Sequence, residues 1–446
     1  MATRDLTTCK PASGLIKYAI PLILGNMFQQ LYNLVDTIVV GNYCGRHALA
    51  AVGASAPVTT LFICISVGGG IGSSVIIAQM YGARKMGRMM TAVKTACTVF
   101  FVIGAVLMAA GIFLNKAILG WLKTPEDIID DAALYMRIYF YGFLFMMMFN
   151  VFNAVFNALG DSRKPLIFLT ASSILNIFLN IYFITRLGMT VDGVAWATVI
   201  SQGLAVIATV IVLVVKLRRM NITEPSKWFD GKTCRTIFRV AGPTILQQSV
   251  VAVGLLLMQS VINGFGSIAV AGYTAANKID LMAILPMTNM GNAVSTFTAQ
   301  NIGAGKKERI PQGLKAGLTA VVVIGLVIAA LLVIFGNALV GLFVSGEGAE
   351  AVIEEGARYL KISSIFYFIF GAMNSLSGVL RGAGDMKSFL ATTLTNFAVR
   401  IVLSFTIAAH MGLYMVAWST VIGWVVSFVL AAILYRSGKW KKKELI

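Results

Sequence analysis

The sequence predicts an all-α integral membrane protein, with twelve transmembrane helices in two pseudo-symmetric six-helix bundles. Three observations carry that expectation. The chain of 446 residues is 58% hydrophobic and only 12% charged, with a mean hydropathy of +0.83; a soluble domain carries about twice that charge. Its apolar runs are long and continuous, where barrel strands would alternate over about ten residues. Finally, the second half of the chain repeats the first.

Twelve runs reach the roughly 20 apolar residues that a bilayer crossing needs. They lie near 15–41, 48–80, 90–114, 132–157, 165–186, 192–215, 236–264, 268–300, 313–341, 357–380, 388–409 and 413–435. The first run is too long for a signal peptide and has no small-residue cleavage site, so it reads as the first crossing.

The repeat is collinear. "YAIPLIL" around Pro21 answers "RVAGPTIL" around Pro243, and "AQMYGARKMGR" from Ala78 answers "AQNIGAGKKER" from Ala299. "ALGDSRK" from Ala158 answers "GAGDMKS" from Gly382, and "GVAWATVIS" from Gly193 answers "MVAWSTVIG" from Met415. Each half holds an even number of crossings, so both enter the membrane in the same direction. An axis along the membrane normal then relates them, with a binding site expected between. The expected division is an N-terminal bundle 1–217, a cytoplasmic linker 218–235 and a C-terminal bundle 236–446. Duplicated bundles of this kind suit an alternating-access carrier.

The net charge of +18 does not point to nucleic acid. Lys and Arg concentrate in alternate loops and in the tail "RSGKWKKK", while the other side carries the acidic stretches "PEDIIDD" and "GEGAEAVIEE". The positive-inside rule then places both termini in the cytoplasm, with contact to anionic lipid a secondary role for the basic charge. The five cysteines are scattered, without metal or redox spacing. The two histidines, His47 and His410, lie near outer helix ends. No metal site and no nucleophile–base–orienter set is visible, so the chain is not expected to be an enzyme.

Away from the loops the charges are Asp36, Lys278, Asp280 and Arg400. A charge near the middle of a spanning helix costs roughly 2.5–3.5 kcal/mol even on gentle insertion scales. Asn26, Gln29, Asn33 and Asp36 follow three-and-four spacing, which predicts a polar stripe facing the bundle interior. By helix rise, Asp36 lies about 8 Å below the outer end of the first crossing, and Asn180 and Thr198 on the fifth and sixth come out at about 9 Å. Asn176 is one turn deeper than Asn180 on the same face. A carboxylate among amide and hydroxyl oxygens suits a proton or a hard monovalent cation, and burial disfavours its charged form. Packing by interhelical hydrogen bonds is the competing reading.

The second half differs. Met258 stands at the position equivalent to Asp36. Asp280 and Arg400 sit deep, about 18 Å from the outer helix ends, and form with Lys278 a charge cluster readable either as a structural ion-pair group or as a part of substrate binding or gating. "GGGIG" at Gly68 lacks the strand-to-helix turn of a dinucleotide site. "GAGKK" at Gly303 lacks the Ser or Thr of a phosphate loop. Met-rich walls such as "FMMMF" at Phe145 suit a promiscuous cavity.

The run "IPLILGNMFQQLYNLVDTIVVGNYCG", with "AQMYGARK", "LGDSRKP" and "LNIFLNIYFITRLG", resembles the multidrug and toxic compound extrusion (MATE) family over essentially the whole chain, and within it the DinF-like bacterial branch. The resemblance implies a MATE-like fold and export of bulky, often cationic amphiphiles in exchange for inward H+ or Na+. It assigns Asp36 as the carboxylate of the first crossing, Pro21 as the proline about which that helix bends, and Asn176 and Thr198 as groups completing the cation site. Asn180 departs from the pattern, which usually has Asp there, so the ion and its stoichiometry stay open. The NorM-like branch carries further carboxylates on crossings seven and ten. This chain has no acid there, and a second cation site of that type is expected to be absent.

The resemblance further implies a multi-pass protein of the bacterial inner (cytoplasmic) membrane that works as a monomer. Its partners would be small organic substrates and membrane lipid, with no nucleic acid and no cofactor beyond the coupling ion. A lipid-linked oligosaccharide flippase of the same wider superfamily is the alternative; it would line its cleft with several cations, of which Lys278 and Arg400 are a thin version. A major-facilitator carrier is less suitable, because "YGARKMGR" lacks the Asp of that family's loop motif.

Overall fold

The computed structural model describes residues 5–39, 45–122, 124–344, 348–443 and 445, with backbone alone at 34, 36–39, 45–49 and 409. Within them the first half forms α1 (Pro11–Val39), α2 (Gly45–Gly82), α3 (Met86–Trp121), α4 (Ile129–Tyr141), α5 (Phe143–Ala158), α6 (Arg163–Leu187) and α7 (Val191–Arg219). The second half forms α8 (Gly231–Asn263), α9 (Ser267–Gly303), α10 (Ile310–Gly341), α11 (Ala349–Ile365), α12 (Tyr367–Gly382) and α13 (Met386–Leu403). A π-helical turn Ser404–Ala408, the short α14 (Ala409–Met411) and α15 (Leu413–Arg436) follow.

Among the described residues nine helices are singly long and apolar enough to cross a membrane, and two bent pairs bring the number to 11. The pairs are α4 with α5, bent by 44°, and α11 with α12, bent by 50°. They are the fourth and tenth crossings, so the repeat extends to a broken helix in each half. The remaining crossing is α1, whose Asn and Gln stripe lowers its hydropathy but which spans 29 residues, more than the about 20 required. The twelve-helix expectation holds.

Two compact units form, and they do not simply follow the two halves of the sequence. One takes residues 24–245; the other takes 4–23 and 246–446. α1 therefore starts in the second unit and passes to the first just after Pro21, and α8 starts in the first and passes to the second just after Pro243. A proline inside a helix removes one backbone hydrogen bond and bends the axis. Both changes of unit fall just after such a proline.

The polar stretches that lead into these helices are bound rather than loose. Coil spans 220–230, because α7 continues to Arg219 and α8 begins at Gly231. It runs along the start of α3: Gly87 N–H donates to Glu224 Oε2 at 2.6 Å, Lys94 Nζ to Ser226 Oγ at 3.0 Å, and Thr91 and Thr95 accept from Lys227 and Asp230 N–H. Glu224 thus satisfies one of the orphan N–H groups at the α3 N-terminus, where negative charge is favoured. In the second unit residues 5–9 lie across the end of α9. Leu6 N–H donates to Gln300 Oε1 at 3.1 Å, Asn301 Nδ2 donates to Leu6 O at 3.2 Å, and Lys306 and Arg309 donate to Thr7 and Cys9 carbonyls.

The repeated motifs are helix stops. After α2, Arg84 takes φ 59°, with Arg84 N–H on Tyr81 O and Lys85 N–H on Met80 O. After α9, Gly305 takes φ 71° with the same bonds to Ile302 and Asn301. Gly160 and Gly384, at φ 77° and 81°, repeat the arrangement after α5 and α12. These left-handed residues close the helix by capping its last carbonyls.

Packing also repeats. A side chain at Gly378 or Gly382 of α12 would strike the carbonyls of Gly291 and Ser295 of α9, and one at Gly70 of α2 would lie 3.0 Å from the Asn150 carbonyl of α5. Small residues let these backbones approach closely, as is usual where no hydrophobic force drives helices together in lipid.

Candidate functional site

In the first unit, one face of α6 carries Ser173, Asn176, Asn180 and Ile184, all buried, at the three-and-four spacing of a single helix face. Asn180 Nδ2 donates to Asn176 Oδ1 at 3.1 Å. Asn176 Nδ2 crosses to α7 and donates to Thr198 Oγ1 at 3.2 Å, and that hydroxyl donates on to Val194 O at 3.1 Å. The donors all run the same way, from Asn180 to the α7 backbone. The opposite end of the relay, at Asn180, presents a carboxamide oxygen.

Asp36 lies on α1, but its side chain is outside the described residues. The backbone next to it is placed by Val35, which packs on the cluster Ile184, Val191 and Val194. Ile184 is one turn from Asn180 and Val194 one turn from Thr198. α1 therefore meets α6 and α7 one turn from the amide relay. Pro21 is buried at the change of unit.

The polar stripe of α1 does not lie in a packed interior. Asn26 is half-buried, while Gln29 and Asn33 are exposed, with Asn33 Nδ2 donating to Gln30 Oε1 at 3.1 Å.

Thr198 also opens on a small crevice lined by Tyr139, Gly142, Phe143, Met146 and Gln202, at the bend between α4 and α5. Of these only Met146, in "FMMMF", lies in a stretch that the sequence singles out; the break at Gly142 brings them to Thr198.

In the second unit Asp280 and Arg400 are both buried, each 8% exposed. Tyr367 Oη donates to Asp280 Oδ1, and Tyr273 and Tyr359 pack edge to face beside them, ring centroids 5.2 Å apart. Lys278 is not part of this group: it is exposed, with its ammonium 5.5 Å from the Phe343 ring centroid. Residues two apart on a helix do not share a face, which separates it from Asp280. Tyr367 escapes a sequence reading because a tyrosine in an apolar run is ordinary core.

Arg381 is a further residue that the motif "RGAGD" makes look like a loop cation. It is 8% exposed, with Nε donating to Ser295 Oγ at 3.2 Å and Nη2 to Asn292 Oδ1 at 2.7 Å. It ties α12 to α9 among the glycine contacts.

Comparison with known proteins fits this architecture. The MatE family model matches residues 21–182 and again 243–406, one copy in each half, and the chain belongs to the MatE family. It is 31% identical over 447 residues to the probable multidrug resistance protein YpnP of Bacillus subtilis, covering 100% of this chain and 99% of that one. A second B. subtilis relative, the probable multidrug resistance protein YoeA, is 30% identical over 450 residues, covering 96% and 94%. Among solved structures, a MOP superfamily transporter from Pyrococcus furiosus superposes with a TM-score of 0.91 over 100% of this chain and 99% of that one, at 24% identity; this likeness concerns the fold. The protein is a multi-pass membrane protein of a family whose named members are transporters.

Proposed function

We propose that the protein is a multidrug efflux antiporter, exporting amphiphilic, often cationic organic compounds in exchange for H+ or Na+ by alternating access. The observation that carries the reading is the Asn180–Asn176–Thr198 relay, one turn from where Val35 of α1 packs on α6 and α7. Carboxamide and hydroxyl oxygens beside a carboxylate provide the hard oxygen donors that a proton or Na+ requires. Family membership and the naming of the relatives support the transport role. In this reading Asp36 alternates between an ion and a free carboxylate as α1 moves about Pro21. The ion is the sole cofactor, and no catalysed bond change is involved.

The same reading places the protein as a monomer in the inner membrane of a bacterial cell with both termini in the cytoplasm, its contacts being small organic molecules and lipid. Expression in cells deprived of their own efflux systems tests it. Such cells should accumulate less ethidium than cells carrying Asp36→Asn at equal expression. Equal accumulation in the two would count against export coupled through Asp36.

A further inference from the structure

The second unit holds a buried charge arrangement that the antiport reading does not use. Asp280 of α9 sits within the span Ser267–Gly303, and its one hydrogen bond among the described residues comes from Tyr367 Oη. Arg400 of α13 lies within electrostatic range, yet among the described residues no ion pair joins the two. Among the described residues the Arg400 Nε has no hydrogen-bond partner, nor has Asn396 Oδ1 one turn before it. A buried carboxylate held as an anion normally draws two or three donors or a contacting cation. Asp280 has neither in full. The groups that bear on it are Tyr273 on its own helix, Tyr359 on α11, Tyr367 on α12 and Arg400 on α13. α10 offers only apolar side chains here, Ile324, Ile328 and Leu332 among them, and α15 offers Trp424.

All of these side chains are at least nine-tenths buried or apolar, so the site is shielded from solvent.

We propose that Asp280, Tyr367 and Arg400 form a proton-binding site inside the second unit, distinct from the cation-coupling residues of the first. A proton taken from water adds to a carboxylate oxygen of Asp280. No bond other than this O–H forms, and the Tyr367 hydroxyl keeps its own proton. The cluster changes from a neutral Asp−/Arg+ pair to a single uncompensated positive charge at Arg400. That change falls one turn before the π-helical turn Ser404–Ala408, a local expansion of the kind that recurs at functional sites. Ser404 there shares a 2.7 Å hydrogen bond with Ser419 of α15. Protonation at Asp280 therefore bears directly on the α13–α15 contact. The proposal stands whether or not the protein exports drugs, since it concerns proton uptake alone.

The test is infrared difference spectroscopy of the full-length protein in lipid vesicles, taken between alkaline and acidic buffer without any transported compound. The expected result is a protonated-carboxyl band that survives in Asp36→Asn, is lost in Asp280→Asn, and shifts in frequency in Tyr367→Phe. Loss of the whole band in Asp36→Asn would overturn the proposal. If Asp280→Asn does not fold, Tyr367→Phe decides: it keeps the carboxyl and removes its hydrogen bond, so an unshifted band contradicts the assignment. A fluorescence change of Trp424, whose ring lies 6.0 Å from that of Tyr367, should accompany the band and vanish with it.

Discussion

Asn176 Nδ2 donates to Thr198 Oγ1 at 3.2 Å, and this bond fixes the face of α6 against α7 one turn from where α1 arrives. Because Asn180 feeds Asn176 in turn, a change at Thr198 reaches Asn180 without touching it. Thr198→Val keeps the shape but takes away the oxygen to which Asn176 donates, costing about 1–3 kcal/mol. Transport should fall sharply while the protein still folds. The complementary change, Asn180→Asp, adds a carboxylate to the buried face of α6. It should make efflux more dependent on Na+, read as uptake of ²²Na+ into vesicles. Unchanged ion dependence would separate the relay from coupling.

Arg84 and Gly305 occupy equivalent stops after α2 and α9, both left-handed. Arg84 bears the steric cost of that conformation, about 1–2 kcal/mol for a residue with a side chain; Gly305 does not. Arg84→Gly should raise thermal stability in detergent by up to about 1 kcal/mol, the gain being reduced by the greater freedom of glycine in the unfolded chain. Gly305→Arg should lower it by about the same amount. Equal melting temperatures across the pair would show that the conformation is carried without strain.

Glu224 and Asp230 hold the coil 220–230 onto the membrane-facing helices. Hydrogen bonds from the Thr233 hydroxyl and N–H, with Lys227 and Lys232 near by, hold the Asp230 carboxyl below its ordinary range. A depressed value means that its contribution is present above the unfolded carboxylate value and is lost as pH falls through the lowered one. Proteolysis of the coil at Lys227, by a protease active at each pH and normalised to a free peptide of the same sequence, should therefore be slow at neutral pH and faster in acid. Thr233→Val should move that loss to higher pH. Glu224→Ala, which removes the charge-assisted bond to Gly87, should expose Lys227 at every pH, at a cost of about 1 kcal/mol. Cleavage independent of both changes would contradict a bound strap.

Much of this was legible in the chain. The twelve spans follow from hydropathy, and the collinear motifs recur at the helix stops, where Gly160, Gly305 and Gly384 take the left-handed conformation that glycine accepts most readily. The buried face of α6 follows from the spacing of Asn176 and Asn180. Other features depend on three dimensions. Lys278 and Asp280 are neighbours in sequence but point to different sides of α9, and Tyr367 reaches Asp280 only because the tenth crossing breaks at Phe366. Arg381 looks like a loop cation and is buried between helices. The linker composition reads only as a cytoplasmic connection, yet Thr91 and Thr95 of α3 are spaced one turn apart to receive it. Nor does the repeat alone reveal that α1 and α8 each divide between the two compact units at their prolines.

The central claim is that Asp36 couples ion entry to export. Its most direct test is efflux of a fluorescent organic cation from proteoliposomes under an imposed pH or Na+ gradient, wild type beside Asp36→Asn. The account predicts efflux driven by one of these gradients in the wild type and none above leak in the variant. Gradient-driven efflux that persists in Asp36→Asn would contradict it.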